Sequence, residues 1–264
     1  MKVILILFFI SGSLIAKAPS HIEVINPKKG HLRFSHNTSF VQSELDQINI
    51  LQILNHSTFK YGLKPTLMLQ INMLSSSSWM HYINSESFQS EYHSQFHLLS
   101  MGLSKNLSSE KSDFGLITFI KTPLISKQYF YNDSLITSER ENFNYIQYGI
   151  SFYKLTPPLV PTIRLSHKIF FDKNNFIPGN ELSINFNINF SVNDDWTLLW
   201  GAGFQNKKQS TLFKVATEFE KNTIFFNYGI LYDLSHNMTF KLGCAFNFSQ
   251  EDTSIISMKT SYRF

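Results

Sequence analysis

Glu181–Trp196 reads ELSINFNINFSVNDDW. Leu182, Ile184, Phe186, Ile188, Phe190 and Val192 are apolar, and Ser183, Asn185, Asn187, Asn189 and Ser191 between them are small and polar. Successive side chains of an extended strand point to opposite faces. One face of this strand therefore favours oil and the other favours water. Asn193-Asp194-Asp195 then ends it in a tight turn, because Asn and Asp side chains bond back to the nearby backbone. A soluble half-buried sheet can carry one such strand. Here the pattern recurs from end to end, which predicts an all-β, transmembrane, antiparallel up-and-down barrel of about twelve strands.

Composition supports this. Charged residues make up 16% of the 264 residues and aromatics 15%, against roughly 25% charged in ordinary soluble domains. Yet the mean hydropathy is only −0.11, too low for a bundle of membrane helices. A barrel combines the two properties, since half of each strand faces lipid and half faces water. The net charge of +4 suits an anionic lipid or solute. Nucleic acid is not an expected partner, because no Lys/Arg tract is present. The single cysteine, Cys244, excludes an internal disulfide and a CxxC metal site.

Residues 1–16 read as a signal peptide: Lys2, then the apolar run Val3–Ile10, then small residues to Ala16. That run is shorter than the ~20 residues a helical span needs. Residues 17–30 form a periplasmic lead and 31–264 the barrel. Strands are expected at 31–41, 48–59, 66–74, 91–103, 113–121, 143–154, 162–171, 181–192, 196–205, 223–232, 238–248 and 254–264. The second alternates poorly and its facing is open. Loops are expected at Ser75–Ser90 and Thr122–Glu141. Residues 211–219 read as either a loop or a further strand. An even strand number puts both termini on one side. The turns there are mostly short, and the longest loops fall on the other side, the known asymmetry of outer-membrane barrels.

The chain ends Tyr262-Arg263-Phe264. A terminal Phe with an aromatic two residues earlier resembles the signal read by the outer-membrane assembly machinery of Gram-negative bacteria. The turns at Asn193-Asp194-Asp195 and Asp233-Leu234-Ser235-His236-Asn237 look like periplasmic turns of such barrels. The C-terminal half is similar to small twelve-stranded bacterial barrels of unknown function and to the phenol meta-pathway transporter family of channels. The resemblance implies a protein exported to the periplasm and inserted into the outer membrane. Its implied partners are outer-membrane lipids, lipopolysaccharide and the assembly machinery, the last through Tyr262 and Phe264.

No catalytic or cofactor constellation is expected. The His-x-Ser pair of the outer-membrane phospholipase is absent, and His36, His56, His93, His97 and His167 are scattered as wall or rim residues, with His167 on an apolar face. HExxH is missing, and 11 glycines leave little for a phosphate-cradling loop. Basic residues on the polar faces are the sharper signal. Arg33, Lys241, Lys259 and Arg263 fall on strands that closure makes neighbours, and Arg164 and Lys168 face them across the lumen. Such a wall favours anions through its local potential. The alternative is that these charges pair with carboxylates and fill a narrow interior. The expected function is a narrow porin-like channel for small polar or anionic solutes. A plugged barrel displaying its outer loops, or a lipid-modifying enzyme with an unfamiliar site, stands as the alternative.

Overall fold

The computed structural model describes residues 29–45, 48–82, 90–108, 112–132, 135–141, 144–171, 176–177, 179–212, 215–216, 220–235, 237–248 and 253–264. The expected signal peptide and the lead up to residue 28 lie outside them.

Twelve strands build the wall: β1 (Leu32–Leu45), β2 (Ile48–Lys64), β3 (Leu67–Tyr82), β4 (Ser90–Asn106), β5 (Phe114–Asn132), β6 (Tyr145–Lys154), β7 (Leu159–Phe170), β8 (Glu181–Ser191), β9 (Trp196–Lys207), β10 (Lys221–Ser235), β11 (Met238–Asn247) and β12 (Thr253–Arg263). Each pairs antiparallel with its neighbours, and β12 pairs with β1. At the seam the Phe264 N–H donates to the Leu32 carbonyl at 2.8 Å, and the Leu32 N–H donates to the Phe264 carbonyl at 3.2 Å. Within the twelve-strand wall no edge strand is left, which is the condition for a sheet to stand in lipid. No helix occurs among the described residues.

The alternation of β8 sets its register. Asn185 lies opposite Gly203 of β9 and Arg164 of β7, while Phe186 lies opposite Ala202 and Ile163. Slipping by one residue would put the asparagine row into lipid. Burial is inverted relative to a soluble sheet. Ser100 and Ser191 are 1% exposed, and Thr162, Ser166, Thr197 and Thr239 are also buried. Leu242 and Phe246 are 45% and 40% exposed. The small polar face looks inward and the apolar face outward, as a membrane barrel requires.

Local chemistry closes the turns. After β8, the Asn193 side-chain oxygen accepts from the Asp195 and Trp196 N–H groups at 3.0 and 2.8 Å. Aromatic pairs cluster toward the same end of the wall: Trp196 and Tyr232 at 4.5 Å and Phe34 and Phe59 at 4.8 Å between ring centroids. Rings at strand ends suit the interface between hydrocarbon and water.

Two expected loops are strand. Ser75–Ser90 is occupied by β3 as far as Tyr82, and β4 begins at Ser90. Thr122–Glu141 is a hairpin, in which the upper part of β5 pairs with an additional strand, Leu135–Glu141. The turn expected at Tyr61–Lys64 belongs to β2, and the chain reverses at Pro65-Thr66 instead. Strands of 16 to 19 residues exceed the ~9–11 needed to cross a bilayer. Where both faces of a hairpin are wet no apolar row is needed, so polar sequence continues the backbone ladder. Among the described residues of the 211–219 region the structure has the two-residue strands Thr211–Leu212 and Val215–Ala216.

Inward aromatic rings lie against the wall over glycines. A Cβ added to Gly203 would sit 2.0 Å from the Phe225 ring, one at Gly115 would sit 1.8 Å from Tyr153, and one at Gly149 would sit 2.5 Å from Phe119. Each glycine leaves a recess for the ring of the next strand. Gly203→Ala should therefore cost about 1–3 kcal/mol as an overpacking change. Adding Phe225→Ala should recover part of that loss. Urea titration of the refolded barrel, read by its heat-modifiable gel mobility, checks both.

Candidate functional site

The inner face carries cations in register. Arg33 of β1 lies opposite Arg263 of β12 and Lys60 of β2, and Lys259 of β12 lies opposite Lys241 of β11. Cross-strand partners share a face, so closing the sheet gathers these charges near the end where the chain terminates. Arg33, Lys60, Lys259 and Arg263 line one cavity of about 180 Å³, together with His56 and Gln70.

A second cavity, of about 360 Å³, shares His56, Lys60 and Gln70 with the first and continues to Lys121 and Arg164. The two therefore adjoin along the lumen. The Arg164 guanidinium lies 4.1 Å over the Phe119 ring, a cation–π contact that holds it to the wall. Lys168 sits 4.4 Å over Tyr145 and 4.2 Å over Phe170, and its Nζ is 3.4 Å from a Glu181 carboxylate oxygen. A polar chain crosses the floor. The Thr58 hydroxyl donates to Asn72 Oδ1 at 3.1 Å, and Asn72 Nδ2 donates to Ser100 at 3.1 Å. Gln70 Nε2 also donates to Asn72 Oδ1, at 2.6 Å. These bonds hold the side chains along the wall of β2, β3 and β4.

Of the carboxylates with described side chains within strands, Glu181 and Asp233 face inward, Glu181 opposite Lys168 and Asp233 opposite Thr239. Cations exceed them on this face, and low-dielectric walls around a narrow lumen concentrate the resulting field.

The six basic residues singled out by the sequence all sit on inward-facing registers, but not in one cluster. Arg33, Lys259 and Arg263 share the first cavity, with Lys241 beside it. Arg164 borders the second, and Lys168 is bound by Glu181 and two rings. Sequence reasoning missed Lys60 and Lys121. Lys60 lies on the strand whose alternation is irregular, and Lys121 was read as a strand terminus. The register signal that places Lys60 comes from β1, whose Arg33 faces it. Among the described residues no cluster of His, Cys, Asp or Glu is arranged to hold a metal ion. His167 does face outward and is bonded through Nδ1 to the Tyr148 hydroxyl at 2.9 Å.

A closed antiparallel sheet with an oily outside and a wet, cation-rich inside is a transmembrane β-barrel enclosing a lumen. No family model and no curated protein matches the sequence. Solved structures do match. An outer membrane channel from Pseudomonas putida F1 aligns with a TM-score of 0.72 at 9% identity, over 92% of this chain and 99% of that one. The translocator domain of the autotransporter NalP from Neisseria meningitidis aligns with a TM-score of 0.58 at 11% identity, over 90% of each chain. The NanC porin aligns with a TM-score of 0.55 at 7% identity, over 86% of this chain and 98% of that one. At these identities the likeness is one of fold.

The two faces can be separated by chemistry. In a Cys244→Ser background, Lys259→Cys and Ser261→Cys should react with an anionic, membrane-impermeant thiol reagent in proteoliposomes. Leu242→Cys, and Cys244 in the natural chain, should not. Equal labelling of both sets would contradict the assigned facing.

Proposed function

We propose that the protein is an outer-membrane channel for small polar solutes with a preference for anions. The observation that carries this reading is the pair of adjoining lumen cavities bordered by Arg33, Lys60, Lys259 and Arg263 at one end and by Lys121 and Arg164 further along. An anion entering this space exchanges part of its hydration for charged and hydroxyl donors, as in other selective pores. The aromatics folded over glycines support it as well, because they keep large rings out of the bore. The fold shared with an outer membrane channel and a porin agrees.

In this reading residues 1–16 direct export and are removed. The outer face contacts phospholipid and lipopolysaccharide. Tyr262 and Phe264, whose rings stack at 6.5 Å, present the closing strand to the assembly machinery. A second reading, a barrel that mainly displays its outer hairpins, draws on the 16- to 19-residue β3, β4 and β5, which stand beyond the bilayer.

Planar-bilayer recordings decide between them. The channel reading expects ohmic single-channel steps whose reversal potential under a KCl gradient shows chloride preference. Lys241→Glu combined with Lys259→Glu should abolish or invert that preference while leaving the fold intact. Selectivity unchanged by the double reversal would remove the basic-wall mechanism, and silent bilayers would favour the display reading.

A further inference from the structure

One stretch of the outer wall is not oily. His56, Thr58 and Lys60 border the lumen, so Asn55 and Ser57, which alternate with them, face lipid. The same argument from Arg33 and Ser35 turns His36 and Thr38 outward, and from Lys259 and Ser261 it turns Thr260 outward. Cross-strand pairing places these groups side by side: Thr260 opposite His36, His36 opposite Ser57, Thr38 opposite Asn55, and Asn55 opposite Ser75. They are also bonded to one another. His36 Nδ1 is 2.9 Å from the Ser57 hydroxyl, His36 Nε2 is 3.3 Å from the Thr38 hydroxyl, and that hydroxyl donates to Asn55 Oδ1 at 3.0 Å.

The strip lies within the apolar span. Ser57 and Asn55 are seven and nine residues above Lys64, the turn end of β2 (64 − 57 and 64 − 55). A strand tilted ~45° gains roughly 2.3 Å of height per residue, which puts the two roughly 16–21 Å above that end. The apolar band of such barrels is roughly 25 Å tall, and outward apolar residues flank the strip on both sides, Phe59 and Tyr61 below and Phe40 and Leu51 above, so the strip falls inside that band. Among the described residues the Asn55 amide nitrogen and the Ser75 and Thr260 hydroxyls have no hydrogen-bond partner. Polar groups left unpaired in hydrocarbon are costly. The wall of β8 to β11 has no such strip. It offers Phe186 and Phe246 and an apolar groove of about 940 Å³ lined by Ile188, Trp200, Tyr228 and Leu242, which fits lipid chains.

We infer that the β12–β1–β2–β3 face is the contact surface for a second copy of this chain, forming a two-fold dimer within the membrane. The strip carries no formal charge other than what His36 can acquire, so two copies do not repel. It holds both kinds of hydrogen-bonding group, with the Asn55 amide as donor and the Ser57, Ser75 and Thr260 hydroxyl oxygens as acceptors, so it can satisfy itself. Among the described residues each chain has one such strip. An isologous pair uses one patch twice, whereas a ring needs two different patches per subunit.

The test uses the full chain in proteoliposomes and a Cys244→Ser background. Thr38, Asn55, Ser57 and Ser75 are replaced by Cys one at a time, and Ile188 and Phe186 likewise on the other wall. Mild oxidation should give a disulfide-linked dimer from at least one strip position and none from the other wall. Asn55→Leu with Thr38→Val, checked for folding by heat-modifiable mobility, should weaken dimer association by about tenfold in sedimentation equilibrium. Wild-type protein that sediments as a monomer overturns the inference. So does a strip series that cross-links no better than the other wall, or a specifically retained lipid in place of a second chain.

Discussion

Everything in this molecule depends on backbone pairing in a medium without water. A strand in hydrocarbon has to find partners for each N–H and C=O along both sides, and an open sheet always leaves two rows unmatched. The Leu32–Phe264 exchange at the seam removes those rows. Once the sheet is closed, the inside and outside are distinguished by the parity of each residue alone. A period of two then becomes a rule for the whole chain. Even positions of β8 meet lipid and odd positions meet the lumen, and every neighbour inherits the same parity through its register.

Closure also creates the electrostatics. Arg33 and Arg263 stand 230 residues apart in sequence (263 − 33) and face each other only because the last strand returns to the first. No local motif contains this arrangement. It is a product of topology, assembled from single basic residues that each look unremarkable on their own strands. Lys60 joins from the second strand and the cavity results. The inner face therefore behaves as a collective feature whose field depends on the bore and on the low-dielectric wall around it.

The legible parts of the sequence are those where parity and chemistry agree. β8, β9 and β11 alternate cleanly, and their twelve-strand setting and inward faces follow from their residues. β2 resists reading because it breaks the rule on both faces. Leu54 shares the parity of the lumen-bordering His56, Thr58 and Lys60, while Asn55 and Ser57 share the parity of Phe59 and Tyr61. Lys60 was lost with the facing of that strand. The irregularity is informative once the fold is known, since polar outward residues in the middle of a span need a reason. The extended hairpins were unreadable for a different cause. Toward the far end of the wall the ladder continues without an apolar row, so Ser75–Ser78 and Thr122–Asn132 carry no pattern that separates strand from loop.

The glycine recesses have a consequence for diversification. Strand number sets the circumference, but the usable calibre is decided by where Phe119, Tyr153 and Phe225 can lie down. Because each ring rests in a notch left by one missing side chain, a single-codon change at a ring alters the width of the lumen and leaves the hydrogen-bonded shell in place. A barrel built this way separates its sieve from its scaffold. Descendants can widen or narrow the lumen without relearning how to fold.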